Sequence, residues 1–326
     1  MRHHLFGLRA IALALRVFGL RASFEAAPFW ACASRVFALC VLVALAIALP
    51  ASSFAQGRGR GGQPPAPPRP APRSADGHPN LGPPPGETGV WLPGNARFAE
   101  PEDGGRGARG ANANPALAAL FAPVPGAPPK PKVGEVPWQQ WAKGVYDYRL
   151  ANQFEPHTRC KPSGGAREFF TPYGVEFVDM PELKRMYIMD IGGPHTYRII
   201  YMDGREHPKN LEPTYYGHSI GHWDGDALVV DTIGFNEKFW MDREGSPHTE
   251  KLHFIERFTR MNMNAMKYEI TIDDPGAYTG TWSTGSVLRW SPGQELFEYV
   301  CQDNNHAPEL MLGDQKSVDR SSVIIP

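Results

Sequence analysis

Cysteine is scarce in this sequence, four residues in 326. No Cys-x-x-Cys pair occurs and no His-x-x-x-His falls on a helical stretch, so the usual zinc frames are missing. Neither charge sign dominates: 33 Lys+Arg stand against 34 Asp+Glu, which argues against a dedicated nucleic-acid or polyanion binder. The glycine run Gly57–Gly62 lacks a following Lys-Ser/Thr and a flanking strand, so it does not read as a phosphate loop. The apolar run Phe37–Leu49 has 13 residues, short of the roughly 20 that a spanning helix needs.

That short run makes sense as a targeting segment. Arg16, Arg21 and Arg35 precede it, Pro50 breaks it, and Ser53-Phe54-Ala55 places small residues before Gln56. Residues 1–55 are therefore expected to be a signal peptide, the alternative being an uncleaved anchor, and the mature chain to be secreted or periplasmic without a stable membrane span. A lipoprotein is disfavoured because Leu39 precedes Cys40. Removing the signal leaves Cys160 and Cys301, an even pair in an oxidising compartment, for which a disulfide is expected. The alternative is two buried free thiols.

The 33 prolines concentrate in the first half of the chain. Residues 56–135 are rich in Pro, Gly, Ala and Arg and bury too little apolar surface to offset ordering entropy, so they read as a largely disordered linker. Its arginines offer a contact to anionic cell-wall polymers. Within it, Trp91 after Gly89-Val90 marks a segment that docks onto the folded part. From Val136 to Gln153 the period is helical, with Trp138, Trp141, Val145 and Tyr148 on one stripe. From Tyr173 onward the period is two, and Met266, Tyr268, Ile270 and Ile272 alternate with polar residues. Turn signals such as Asp224-Gly225 divide this region into eight or nine short strands with no helical crossovers between them. The expected fold is mainly β: an antiparallel meander closed into an up-and-down, lipocalin-like barrel over residues 136–305, with an amphipathic helix before it and a tail over 306–326. A sandwich is the alternative.

The stretch Asp76-Gly-His-Pro-Asn-Leu81…Gly89-Val-Trp91, together with Asp203-Gly-Arg-Glu-His-Pro208 and Gly217-His-Ser-Ile-Gly-His-Trp-Asp-Gly-Asp-Ala-Leu-Val-Val-Asp-Thr-Ile-Gly-Phe-Asn236, resembles a family of uncharacterised secreted bacterial proteins. Pro247-His-Thr-Glu250, Glu256-Arg-Phe258, Thr271-Ile-Asp-Asp-Pro275 and Glu298-Tyr-Val-Cys301 extend the resemblance over most of residues 74–305. It implies export and brings no catalytic assignment. The Gly/Ala/Pro-rich stretch around Asp103–Pro131 departs from the pattern as an insertion.

Several residues are candidates for chemistry. On a strand His218 and His222 lie about 13 Å apart, too far to share one metal, and no metal or other cofactor is expected. They are placed instead at the mouth of the domain. His248, Glu250 and His253 converge only if a loop folds them together. Gly217-His-Ser-Ile-Gly221 spells a nucleophile elbow, but strand alternation follows it where that motif needs a helix. Asp273-Asp274-Pro275 reads as a turn. Period two places Glu256 between Phe254 and Phe258, and Asp231 between Val229 and Ile233, both facing inward, which requires a partner such as Arg198, Arg257 or Arg289. These acids are the candidate catalytic pair. Tyr197, Tyr201, Phe254, Phe258, Met266, Tyr268 and Phe297 complete an expected aromatic and Met-rich interior. Three functions fit. The first is binding of a small apolar ligand inside the barrel, at Tyr197, Tyr201, His218, His222, Phe254, Glu256 and Tyr268. The second is acid–base catalysis on a hydrophobic substrate, of isomerase or hydrolase type, by Asp231 and Glu256. The third is a packed barrel serving the cell envelope.

Overall fold

The computed structural model describes residues 68–94, 97–102, 125–153, 155–171, 173–190 and 196–301. The expected signal peptide with its cleavage site, and the tail from 306, lie outside the described residues. Nine strands close into one barrel: β1 (Gly89–Leu92), β2 (Val175–Met180), β3 (Arg185–Asp190), β4 (Thr196–Tyr201), β5 (His218–Asp224), β6 (Ala227–Ile233), β7 (His253–Asn262), β8 (Ala265–Asp273) and β9 (Trp282–Pro292). Each strand pairs with its successor, and β9 pairs with β1.

An odd ring cannot alternate direction throughout. The parity is resolved between β4 and β5, which pair in parallel through Ile200↔Ser219 and Tyr201↔Ile220, while every other neighbouring pair is antiparallel. The strict up-and-down meander expected from the sequence is corrected at this one step. The connection 202–217 must run back along the outside of the barrel before β5 can begin. Gly217 leads into β5 at φ +63°, and a Cβ there would stand 2.5 Å from the Ile233 carbonyl oxygen, so glycine is needed. The β5–β6 turn is tighter: Asp224 pairs with Ala227, and Gly225 (φ +60°) takes the strained position of a two-residue hairpin.

The segment read as linker contributes β1 itself, so 56–135 is not all linker. Trp91 is buried and donates Nε1–H to the Leu81 carbonyl at 2.7 Å. Arg260 lies between the Trp91 and Trp290 rings, 4.8 and 5.1 Å from their centroids, and donates to the carbonyls of Asn80, Gly82 and Met263. Residues 80–82 thereby tie across one barrel end. Before the sheet, α1 (Gln140–Asn152) buries Ala142, Tyr146 and Arg149. The stripe expected to be buried is wrong in part: Trp141 is 47% and Tyr148 50% exposed. Arg149 takes the inner face because its guanidinium stacks on Trp240 at 5.0 Å and donates to the Gly245 carbonyl.

The lumen is filled by the chain itself. A 3₁₀ segment, Gly165–Phe170, is buried at all six positions. The Phe169 ring lies 4.7 Å from Tyr268, 5.2 Å from Phe258 and 6.3 Å from Phe177, which project inward from β8, β7 and β2. Gly164 admits this plug with φ +74°, and a Cβ there would fall 2.3 Å from the Phe239 ring. Cys160 and Cys301 stand at disulfide distance, with 5.4 Å between Cα atoms.

Candidate functional site

Inside the barrel, Glu256 is completely buried between Phe254 and Phe258, as its period implied. Its partner is Arg198 of β4. Arg198 donates Nη1–H to Glu256 Oε1 at 3.2 Å, Nη2–H to Glu256 Oε2, Nη2–H to Thr232 Oγ1 at 2.7 Å and Nε–H to Ser219 Oγ at 2.9 Å. Tyr268 donates its hydroxyl to Glu256 Oε1 at 2.8 Å. The plug adds a second acid, for Glu168 Oε1 accepts from Arg198 Nη1 at 3.1 Å. Burial alone lowers the Arg198 pKa, but Glu256 and Glu168 outweigh it and hold the guanidinium charged. Burial pushes the Glu168 carboxyl well above the usual carboxylate range, against the pull of Arg198. One cation thus faces one anion and one acid driven toward its neutral form. That arrangement leaves no open side for a substrate: Arg198, Glu256, Glu168, Thr232, Ser219 and Tyr268 are all buried, and Tyr268 also packs against the Phe169 ring of the plug.

Asp231 lies elsewhere. On β6 the inward residues are Leu228, Val230 and Thr232, so Asp231 projects from the outer wall, and Asp231 and Glu256 stand on opposite faces of the sheet. They cannot act as a pair. β6 reads ambiguously because its outer Val229 is also 92% covered, at 8% exposure, which makes both faces apolar. On β4 the buried residues are Arg198 and Ile200; Tyr197, at 54% exposure, and Tyr201 lie outside, and Phe297 is exposed as well. The tyrosine face was the more apolar one by pattern, yet the barrel turns Arg198 inward because two buried carboxylates require it.

What the structure gathers on the outer wall is a groove of about 370 Å³ lined by Tyr197, Ile199, Tyr201, Tyr215, Tyr216 and His218. His218 stacks on Tyr201 at 5.0 Å, and the Arg205 guanidinium covers Tyr201 at 4.0 Å while bound to Asp203. The returning connection carries His207 to this wall. His207 Nδ1 is 2.8 Å from His218 Nδ1, and its Nε2 is 3.1 Å from Asp231 Oδ1. His253 Nε2 reaches the same oxygen at 2.8 Å. The sheet register explains the cluster: Asp231 stands opposite Ile220 and Ile255, so His218 and His253 are its diagonal neighbours on the two flanking strands. Burial first, then the charges of His207 and Arg205, lowers the His218 pKa below the ordinary imidazole value.

Of the residues singled out from sequence, Tyr197, Tyr201 and His218 meet at the groove, with Asp231 adjoining through His207. Phe254, Glu256 and Tyr268 form the packed interior. His222 is exposed and outside the groove lining. His248 is buried in hydrogen bonds to the Phe239 and Thr249 carbonyls and does not converge with His253, while Asp274 caps the turn by accepting from Thr249 and Gly276. His207 and Tyr215 were missed, since both sit in the irregular 202–217 connection, where no period speaks for them. Among the described residues no group of three or more His, Cys, Asp or Glu is arranged to hold a metal ion, and no helix is long and apolar enough to cross a membrane.

The class defined so far is a nine-stranded closed barrel with a self-filled lumen and an aromatic groove on its outer wall. Comparison with protein-family models, curated proteins and solved structures finds no match.

Proposed function

We propose that the chain is an exported small-molecule-binding protein, of the secreted family its motifs resemble, and that its ligand is held in the outer groove. The observation that carries this reading is the division of the aromatic residues. The lumen set is spent on the plug, whereas Tyr197 is 54% exposed and lines the groove with Tyr201 and Tyr215 beside one polar edge at His218. Largely apolar concavities with a few placed polar groups are where small ligands bind. The ligand class is therefore flat and largely apolar, with one polar group. The Cys160–Cys301 bond, formed on export, holds the wall in place, and the arginine-bearing linker contacts the cell wall. A purely structural envelope role would need no such groove.

The test incubates purified mature protein with cell extract and identifies retained small molecules by mass spectrometry. A Tyr197→Ala/Tyr201→Ala variant should lose the retained compound, and Phe258→Leu in the lumen should keep it. Retention unchanged by the groove variant, or no retention by the wild type, would reject the reading in favour of the packed structural barrel.

A further inference from the structure

The chain His218–His207–Asp231–His253 constrains its own protons. An ionised carboxylate only accepts, so His207 Nε2 and His253 Nε2 both donate to Asp231 Oδ1. With His207 neutral, its Nδ1 then bears a lone pair. His218 Nδ1, 2.8 Å away, must be the donor. His218 therefore carries its proton on Nδ1, the less common position for a free imidazole, and presents Nε2 as an acceptor. The ring also lines the groove and stacks on Tyr201.

We propose that His218 is the acid–base group of the groove, taking a proton through Nε2 from the acidic hydroxyl of a phenol- or enol-like ligand, with His207 and Asp231 as positioning residues. This rests on the groove being the ligand site. In the step the ligand O–H bond breaks, the electron pair stays on oxygen, and an Nε2–H bond forms. The ligand becomes an anion against the His218 imidazolium, and the proton returns when it leaves. The imidazolium keeps its Nδ1–H toward His207, whose own Nε2–H faces the Asp231 carboxylate, so the new charge meets an anion two hydrogen bonds away. The other charged groups at the site are the Arg205–Asp203 pair, whose charges oppose each other, and Arg185, 5.3 Å over Tyr201. Arg185 favours an anion in the groove. His218 is also partly withdrawn from water, and burial disfavours a resting charge on it. The resting group is thus a neutral base.

Two measurements on the full mature chain decide the matter. Nitrogen NMR of isotope-labelled imidazoles at about pH 8, where histidines are neutral, reads each tautomer. His218 should show Nδ1–H with bare Nε2, and His207→Phe should flip it to the ordinary Nε2–H form. An Nε2–H His218 in the wild type overturns the proposal. The second uses para-nitrophenol, at a pH where the free compound is mostly protonated, and follows phenolate absorbance. Wild type should bind it as phenolate, His218→Gln should bind it only as phenol, and Asp231→Asn should shift the phenolate fraction down about tenfold. Binding of the neutral phenol by the wild type overturns the base while leaving the groove standing. Absence of any binding overturns both for this ligand class.

Discussion

At the residue scale the interior acids show how burial divides one charge among three groups. Glu168 is driven toward its neutral form and Glu256 pairs with Arg198 through two oxygens. Glu168→Gln should therefore be close to neutral in stability, because it replaces a proton-bearing acid by its amide. Glu256→Gln should cost less than a broken ion pair ordinarily does, since Glu168 can ionise and take its place beside Arg198. The double variant strands the guanidinium, which should cost about 3–5 kcal/mol. Urea unfolding of the cycle would read a clear coupling between the two sites; additive effects would sink this account. A second residue-scale case is His248, fully enclosed and lowered to about 4, chiefly by burial. Its folded pKa lies below its unfolded value of 6.5, so the unfolded chain binds the extra proton first. Its contribution is complete above that value and is lost as pH falls toward 4, on the order of 3 kcal/mol. His157, lowered to about 4 by burial and Arg167, adds the same sign. Glu244, raised to about 7 by burial and Asp242, acts oppositely and loses its contribution as pH rises. The difference between wild type and His248→Gln isolates one of the three: thermal unfolding across that window should show a flatter acid side in the variant.

The element scale is where the sequence was most and least informative. β7 and β8 were legible because one face of each is apolar, apart from Glu256 and Arg260, and the Asp224-Gly225 turn announced the β5–β6 hairpin. Opaque were β1, which is four residues inside a Pro/Gly-rich stretch, and the plug, which has no period because all of its sides are buried. Period two also failed on β4 and β6, where a barrel that is covered on part of its outside makes both faces apolar. The groove inherits that blindness: Tyr197 and Tyr201 were singled out as candidates but assigned to the wrong side of the wall, and Tyr215 and Tyr216 were not singled out at all. The plug yields a direct test. Phe169 is 1% exposed and touches rings from three strands, so Phe169→Ala should cost about 3–5 kcal/mol in urea unfolding. Retention of a groove ligand should survive, because Tyr197 and Tyr201 stand on the far face of the sheet. A loss of less than about 1 kcal/mol would mean that the lumen is not packed as described.

For the whole molecule, closure and crosslinking act on different parts of the chain. The ring of nine strands pairs every strand on both sides, though only through Trp91↔Val175 at the β1–β2 seam and two residue pairs at the β4–β5 seam, and closure limits edge-to-edge association. Yet the ring leaves the approach to the plug, 155–164, and the chain beyond β9 to be held by side chains. Glu155 does so on one side, through a doubly hydrogen-bonded pair with Arg167 at 2.7 Å each. Cys160 and Cys301, 141 positions apart in sequence, do so on the other. Crosslinking so long a loop removes unfolded-state entropy equivalent to about 5 kcal/mol. Cys160 and Cys301 should therefore not titrate as thiols, and reductant should lower the protein's midpoint of thermal unfolding by several degrees or more. Cys160→Ala/Cys301→Ala should unfold where the reduced wild type does and show no response to reductant. A wild type whose unfolding is equally indifferent to reductant, with two thiols titrating in the native state, would make both cysteines free thiols and leave the Glu155–Arg167 pair as the anchor of the plug.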